Sequence, residues 1–216
     1  MEDRSIRVAF MIGDAANVGD TFGPWEIFQD TMVGRDNDHQ CPFDLYTVAP
    51  TLDAVRMTGG LRVEPHYGLA NSPQPDVIVV PSQGSDREML GWLREAGAGA
   101  GAIIAAGAGV FQLARAGLLR GEAATTHSHD WDRFSNEFPD VDLRRGPAFV
   151  ESGKFLTARD RPSEAGIALR VVQRYFGDEV ACATAEYVEH DRFDWRDVRN
   201  VSRVAATPNS RWYCTW

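Results

Sequence analysis

Lysine is almost missing from this chain. Lys154 is its one lysine among 216 residues, and 22 Lys plus Arg stand against 31 Asp plus Glu, for a formal charge of -9. Phosphate contact depends on clustered Lys and Arg, so this deficit, with a pI near 5.0, argues against nonspecific binding to nucleic acid. Cysteine is scarce too. Cys41, Cys182 and Cys214 form no CxxC pair and are odd in number, which excludes a disulfide framework and a four-Cys zinc site and predicts reduced thiols. No apolar run approaches the roughly 20 residues that cross a bilayer, so no membrane span is expected. The start, MEDRSIRVAF, lacks a basic segment followed by an apolar one, so no secretory signal is expected and the predicted location is cytoplasmic. Repeats and low-complexity linkers are absent. What is present, 44% hydrophobic and 25% charged residues, suits a soluble globular domain with a full core.

Hydrophobic patterning alternates between strands and helices. SIRVAFMI (5–12) is a β-branched apolar run closed by Gly13 and Asp14 and predicts a buried strand. Phe22, Trp25, Ile27, Phe28 and Met32 recur at helical spacing, with Pro24 where a first-turn proline is tolerated and Gly34 as C-cap. FDLYTV (43–48), DVIVVP (76–81) and GAIIAA (101–106) predict further strands, the last two of the kind covered on both faces. VRMTGGLRVEP reads as a Gly-rich hairpin, and Ser85 with Glu88 as a capping box opening a helix. VFQLARAGLL predicts a helix ending near Gly121, and 123–127, 142–145, 148–151 and 155–159 predict short strands. Helices are expected from Pro162 to about Phe176 and over 178–188. The order predicts an α/β fold, a three-layer doubly wound mainly parallel sheet with ligands beyond the carboxyl ends of its strands. Residues 1–189 are expected to form this domain, and 190–216, with Trp195, Trp212 and Trp216, a tail packing on the body or on a partner subunit.

The segment GAIIAAGAGVFQLARAGLLRGEAATTH carries a buried strand into a helix through small residues. That is the form of a nucleophile elbow, in which a Ser or Cys stands on a strained turn and the next amide helps bind an oxyanion. Together with DTFGPWEIF (20–28), DVIVVPSQG and GKFLTARDRPSEAGIALRVVQRYFG, it resembles the DJ-1/PfpI superfamily, in the branch holding isonitrile hydratases and class I glutamine amidotransferase-like regulator domains. The likeness runs over roughly 5–188 and implies a flavodoxin-like fold and a homodimer. It departs at the elbow, where the family's catalytic Cys would stand and this chain has Gly107. Thiolate chemistry at that position is thereby excluded.

Other calls concern the residues around that position. Asp20 matches the family's acidic residue and is the expected catalytic group, since a carboxylate in a partly dry cleft can carry a proton to water or carbon without a thiol; an N-cap role is the alternative. The amides of Ala108 and Gly109 are expected to face developing negative charge. Arg159 and Arg161 flank Asp160 in a turn where relatives have small residues and are expected to bind substrate oxygens, or else to form a solvated salt-bridged turn. His127 is expected to donate to the ligand, while His127 and His129 on one strand face make only a weak metal signal. Trp25, Phe22 and Phe111 are expected at the mouth as an aromatic wall, with plain core as the alternative, and Gln83 joins the substrate-binding set. The alternatives for Gly107 are a tight turn in a decayed site or a mutated catalytic Cys. Two functions follow: a cofactor-free enzyme, metal-free and lyase- or hydratase-like, acting by acid-base catalysis on a small polar-aromatic molecule; or a noncatalytic ligand-binding sensor. The second is disfavoured because the 27-residue tail is too short for the helix-turn-helix that such regulators carry.

Overall fold

The computed structural model describes residues 5–34, 40–190 and 201–203, with backbone alone at 161–162 and 201–203. The chain begins with β1 (Ile6–Met11), α1 (Val18–Gln29) and β2 (Phe43–Ala49), then the hairpin β3 (Val55–Arg56) and β4 (Arg62–Val63), and β5 (Tyr67–Gly68). The central units are β6 (Val77–Val80), α2 (Arg87–Gly99), β7 (Ala102–Ala106) and α3 (Gly109–Arg115), followed by β8 (Ala123–Ala124), α4 (Trp131–Glu137) and β9 (Asp142–Leu143). β10 (Phe149–Ser152), β11 (Phe155–Ala158), α5 (Arg161–Phe176), α6 (Asp178–Tyr187) and β12 (Val201–Arg203) complete it.

Eight strands form one sheet in the order β12-β10-β11-β7-β6-β1-β2-β5. Every pairing is parallel except the β10–β11 hairpin. Alternation along β1 explains the layers: Val8 and Phe10 face α1, α5 and α6, while Ala9 and Met11 face α2 and α3. Both faces are covered, so β6 and β7 are buried at every residue, as expected for all-parallel strands. β1 runs into α1 on one face and β6 into α2 on the other, so the neighbouring strands β1 and β6 mark the point where the winding reverses and a crevice opens at their carboxyl ends.

Several boundaries differ from the sequence expectation. α1 starts at Val18, not at Phe22, because the Asn17 side chain accepts from the Asp20 N–H and caps the helix; Pro24 then falls inside it. α2 is capped by Asp86, which accepts from the Met89 N–H at 2.8 Å, rather than by Ser85. α3 ends at Arg115, well short of Gly121. Residues 128–130 form a 3-10 turn leading into α4, where a strand was expected to carry both histidines. Cys41 is a free, exposed thiol, but Cys182 is disulfide-bonded. An odd count rules out full pairing and still allows one bridge, which corrects the expectation of three reduced thiols. Trp195, Trp212 and Trp216 lie outside the described residues. Among the described residues no helix is long and apolar enough to cross a membrane.

Candidate functional site

A cleft of about 510 Å³ opens at the carboxyl ends of β1, β6, β7 and β11, lined by Asn17, Asp20, Ser82, Gly107, Ala108, His127, Asp130, Arg159, Asp160 and Glu164. Each strand delivers its contribution through the loop that follows it. α1 brings Asp20 in its first turn, where a carboxylate suits the positive end of the helix. Asp20 is therefore not the N-cap; Asn17 is. Its side chain is buried, with the residue 5% exposed, and one carboxylate oxygen accepts the Ser82 N–H at 3.0 Å.

β7 turns into α3 through Gly107 at φ +47, a left-handed conformation that glycine adopts without steric cost. Its neighbours are held from several sides. The Gly107 N–H donates to the Ala158 carbonyl at 3.1 Å, and the Gly107 carbonyl accepts from Thr126 Oγ1 at 2.7 Å. The Ala108 amide, expected to face a ligand, donates instead to Ser82 Oγ at 2.9 Å. Gly109 opens α3 and packs against the backbone of β6: a Cβ there would lie 2.2 Å from the Val80 carbonyl oxygen.

On the far wall, Asp160 caps α5, accepting the Ser163 N–H at 3.3 Å and the Ser163 hydroxyl in a shorter bond. Arg159 donates Nε and Nη2 to Asp160 Oδ2 at 3.1 and 3.0 Å and Nη1 to the Gly146 carbonyl at 2.7 Å. Its guanidinium borders the cleft but is committed to these partners. Arg161 is the first residue of α5, with its side chain outside what the structure describes. Glu164, one turn into α5, is buried and lines the cleft. His127 is an exposed N-cap whose Nδ1 accepts the His129 N–H at 3.4 Å.

Of the residues singled out from sequence, the fold thus brings together Asp20, Gly107, Ala108, His127 and Arg159. It places others elsewhere. Trp25 is half-buried against Phe10, 4.8 Å between ring centroids, and stacked near His66. Phe22 packs toward the cluster of Ile12, Ala49 and Met57, and Phe111 is core, edge-on to Phe134. Among the described residues no aromatic wall lines the cleft: Phe22 and Trp25 of α1 pack on the protein, and Phe111 of α3 belongs to the core. Gln83 ties its loop to β1, accepting the Gly13 N–H and donating to the Met11 carbonyl. Among the described residues no group of three His, Cys, Asp or Glu could hold a metal. The residues that sequence reasoning passed over for the site are Asn17, Ser82 and Glu164, while Asp160 was legible only as part of the Arg159–Arg161 turn and Asp130 only beside His127 and His129. For Ser82 a signal existed, since it follows a fully apolar strand at the end where ligands bind.

The DJ-1/PfpI family model matches residues 6–174. Among solved structures, a ThiJ/PfpI family protein from Pseudomonas syringae is similar at 22% identity and TM-score 0.75, over 91% of this chain and 81% of that one. Drosophila melanogaster DJ-1beta is similar at 18% identity and TM-score 0.73, over 86% and 98%, and an AraC family transcriptional regulator from Pseudomonas putida at 19% and 0.72, over 85% and 99%. At such identities these likenesses speak for the fold. No curated protein sequence matches the chain. With most of its length under one family model and the sheet order, turn and cleft in place, the chain belongs to the DJ-1/PfpI family.

Proposed function

We propose that the cleft is the site of a cofactor-free enzyme that works by proton transfer, with Asp20 as the carrier and no covalent intermediate at the elbow. The observation that carries this reading is the placement of Asp20: a buried carboxylate borders the cleft, and its Oδ2 lies 3.9 Å from where a Cβ on Gly107 would be. Gly107 takes the place of the family's Cys in this reading, and the isonitrile hydratase-like branch supplies the pocket type. Isonitrile hydration through a thiol is therefore not the reaction. Asp20 would take a proton from carbon and return it to another atom of the same molecule in isomerisation or to the departing group in elimination, or take it from an attacking water and deliver it to the neighbouring carbon in hydration, so that the carboxylate ends each cycle unchanged. His127 and the rim around Arg159 would orient the polar part of a small polar-aromatic molecule. The enzyme is further proposed to be cytoplasmic and a homodimer, with no cofactor.

The test follows carbon-bound deuterium in D2O for a panel of aryl-substituted hydroxy ketones. Wild-type protein is expected to exchange at least one of them, and Asp20→Asn to slow that exchange by about a hundredfold or more, the usual worth of a positioned acid or base. No exchange by wild type across the panel, or equal rates in the two proteins, would sink the proposal. Saturable binding without turnover would then favour a second reading, a ligand-sensing domain, which is supported by the transcriptional regulators among the structural neighbours and would bring a nucleic-acid partner with it.

A further inference from the structure

Ser82 stands where an elbow side chain would need to be. A Cβ on Gly107 would lie 2.7 Å from Ser82 Oγ, closer than real Cβ contacts come. The hydroxyl is fixed from both sides of that glycine, for it donates to the Ala106 carbonyl at 3.2 Å and accepts the Ala108 N–H at 2.9 Å. Its partners are the two neighbours of Gly107 in the chain. These bonds join residues 24 and 26 positions apart, so the hydroxyl is not serving a local turn, the usual use of a serine in a loop. The Ser82 N–H, meanwhile, donates to Asp20. Ser82, two residues after β6, thus joins the carboxylate of α1 to the turn between β7 and α3.

We propose that Ser82 and Gly107 are a complementary pair, in which a hydroxyl delivered from the β6 loop fills the place of an elbow side chain and keeps the Ala108 amide from the ligand. Ser82 is then the gate of the elbow. A ligand carbonyl or oxyanion reaches that amide only by turning the hydroxyl away, at the cost of both of its hydrogen bonds. A side chain at 107 carries the same cost, in addition to the strain of a left-handed backbone. The consequence for ligands rests on the cleft being the working site; the pairing itself rests on the geometry alone.

A double-mutant cycle separates the two contributions, because backbone strain at 107 is common to both backgrounds and cancels. The unfolding constant of Gly107→Ala relative to its parent is expected to rise at least tenfold more in the Ser82 background than in the Ser82→Gly background. Hydrogen exchange gives a reading that general stability does not move. In Ser82→Ala, the Ala108 amide should exchange at least tenfold faster, with the amides of β6 and β7 unchanged, and its NMR signal should shift further than in wild type on titration with acetamide, a neutral carbonyl probe. Penalties for Gly107→Ala that agree within threefold in the two backgrounds would overturn the pairing. An Ala108 amide that exchanges and responds to acetamide alike in wild type and Ser82→Ala would overturn the gate. Neither measurement uses turnover, so Asp20 catalysis and the Ser82 gate can fail independently.

Discussion

Gly107 and Gly109 sit two residues apart and are needed for different reasons. At Gly107 the obstacle to a side chain is a hydroxyl, which can rotate. At Gly109 it is backbone: a Cβ would meet the Val80 carbonyl oxygen at 2.2 Å and the Pro81 carbonyl oxygen at 2.9 Å, and neither can move without shifting β6. Forcing a methyl into a packed interior costs about 1–3 kcal/mol when neighbours can adjust, and more when they cannot. Gly109→Ala is therefore expected to destabilise the protein by about 3 kcal/mol, measured as a lower urea midpoint at unchanged slope. A loss below about 1 kcal/mol would show that α3 slides freely on the sheet. The sequence could place both glycines at a strand-helix junction, since GAIIAAGAG follows a fully apolar run. It could not tell which of them faces a side chain and which a carbonyl, because the partners, Ser82 and Val80, are more than 20 residues away.

At the level of elements, strands were legible and helix starts were not. β1, β6 and β7 are near-continuous apolar runs because they are covered on both faces, and their shortness, β-branched residues and flanking Gly or Pro mark them as strands rather than buried helix. A helix start depends on which polar side chain turns back to the backbone, and nearby candidates compete for that role. Asn17 and Asp86 take it, while Pro24 and Ser85 had the stronger local pattern. The short elements at 128–137 carry too little periodicity to be seen. The aromatic rings of α1 have the spacing of a core face, which a pocket wall would share, and the packing of that helix on the protein decides for core. α5 is the element whose cap matters most to the site, since Asp160 both accepts from Ser163 and holds Arg159. Asp160→Ala removes one cap, worth about 1 kcal/mol, and frees a guanidinium at the rim of the cleft. The expected result is a melting temperature about 2–4 °C lower, as suits a domain of this size. An unchanged melting temperature would mean that Glu164 and the helix dipole suffice to start α5.

On the scale of the whole molecule, the sheet must keep its outer hairpin in register with the helices that support the cleft, and a buried ionic cluster does so. Glu151 on β10 is 2% exposed; its Oε2 accepts from Arg170 Nε and Nη2 at 3.0 and 2.7 Å, and its Oε1 from Arg174 Nη2 at 2.7 Å. Arg174 also donates to the Gly153 carbonyl in the hairpin turn at 2.8 Å. Arg170 continues to Gln173 and Gln173 to Asp178, so β10, α5 and α6 are joined by one chain of charge-assisted bonds. Attraction between such groups is largely offset by the cost of taking them out of water, and the penalty appears when one partner is removed and the others stay buried. Glu151→Ala is accordingly expected to cost about 3–5 kcal/mol in chemical denaturation. The replacement Glu151→Leu with Arg170→Met keeps volume and removes the charge facing Oε2, and should recover at least half of that loss. If the double replacement were instead as unstable as Glu151→Ala, the hydrogen bonds themselves, and not the stranded charge, would be what holds the hairpin against α5.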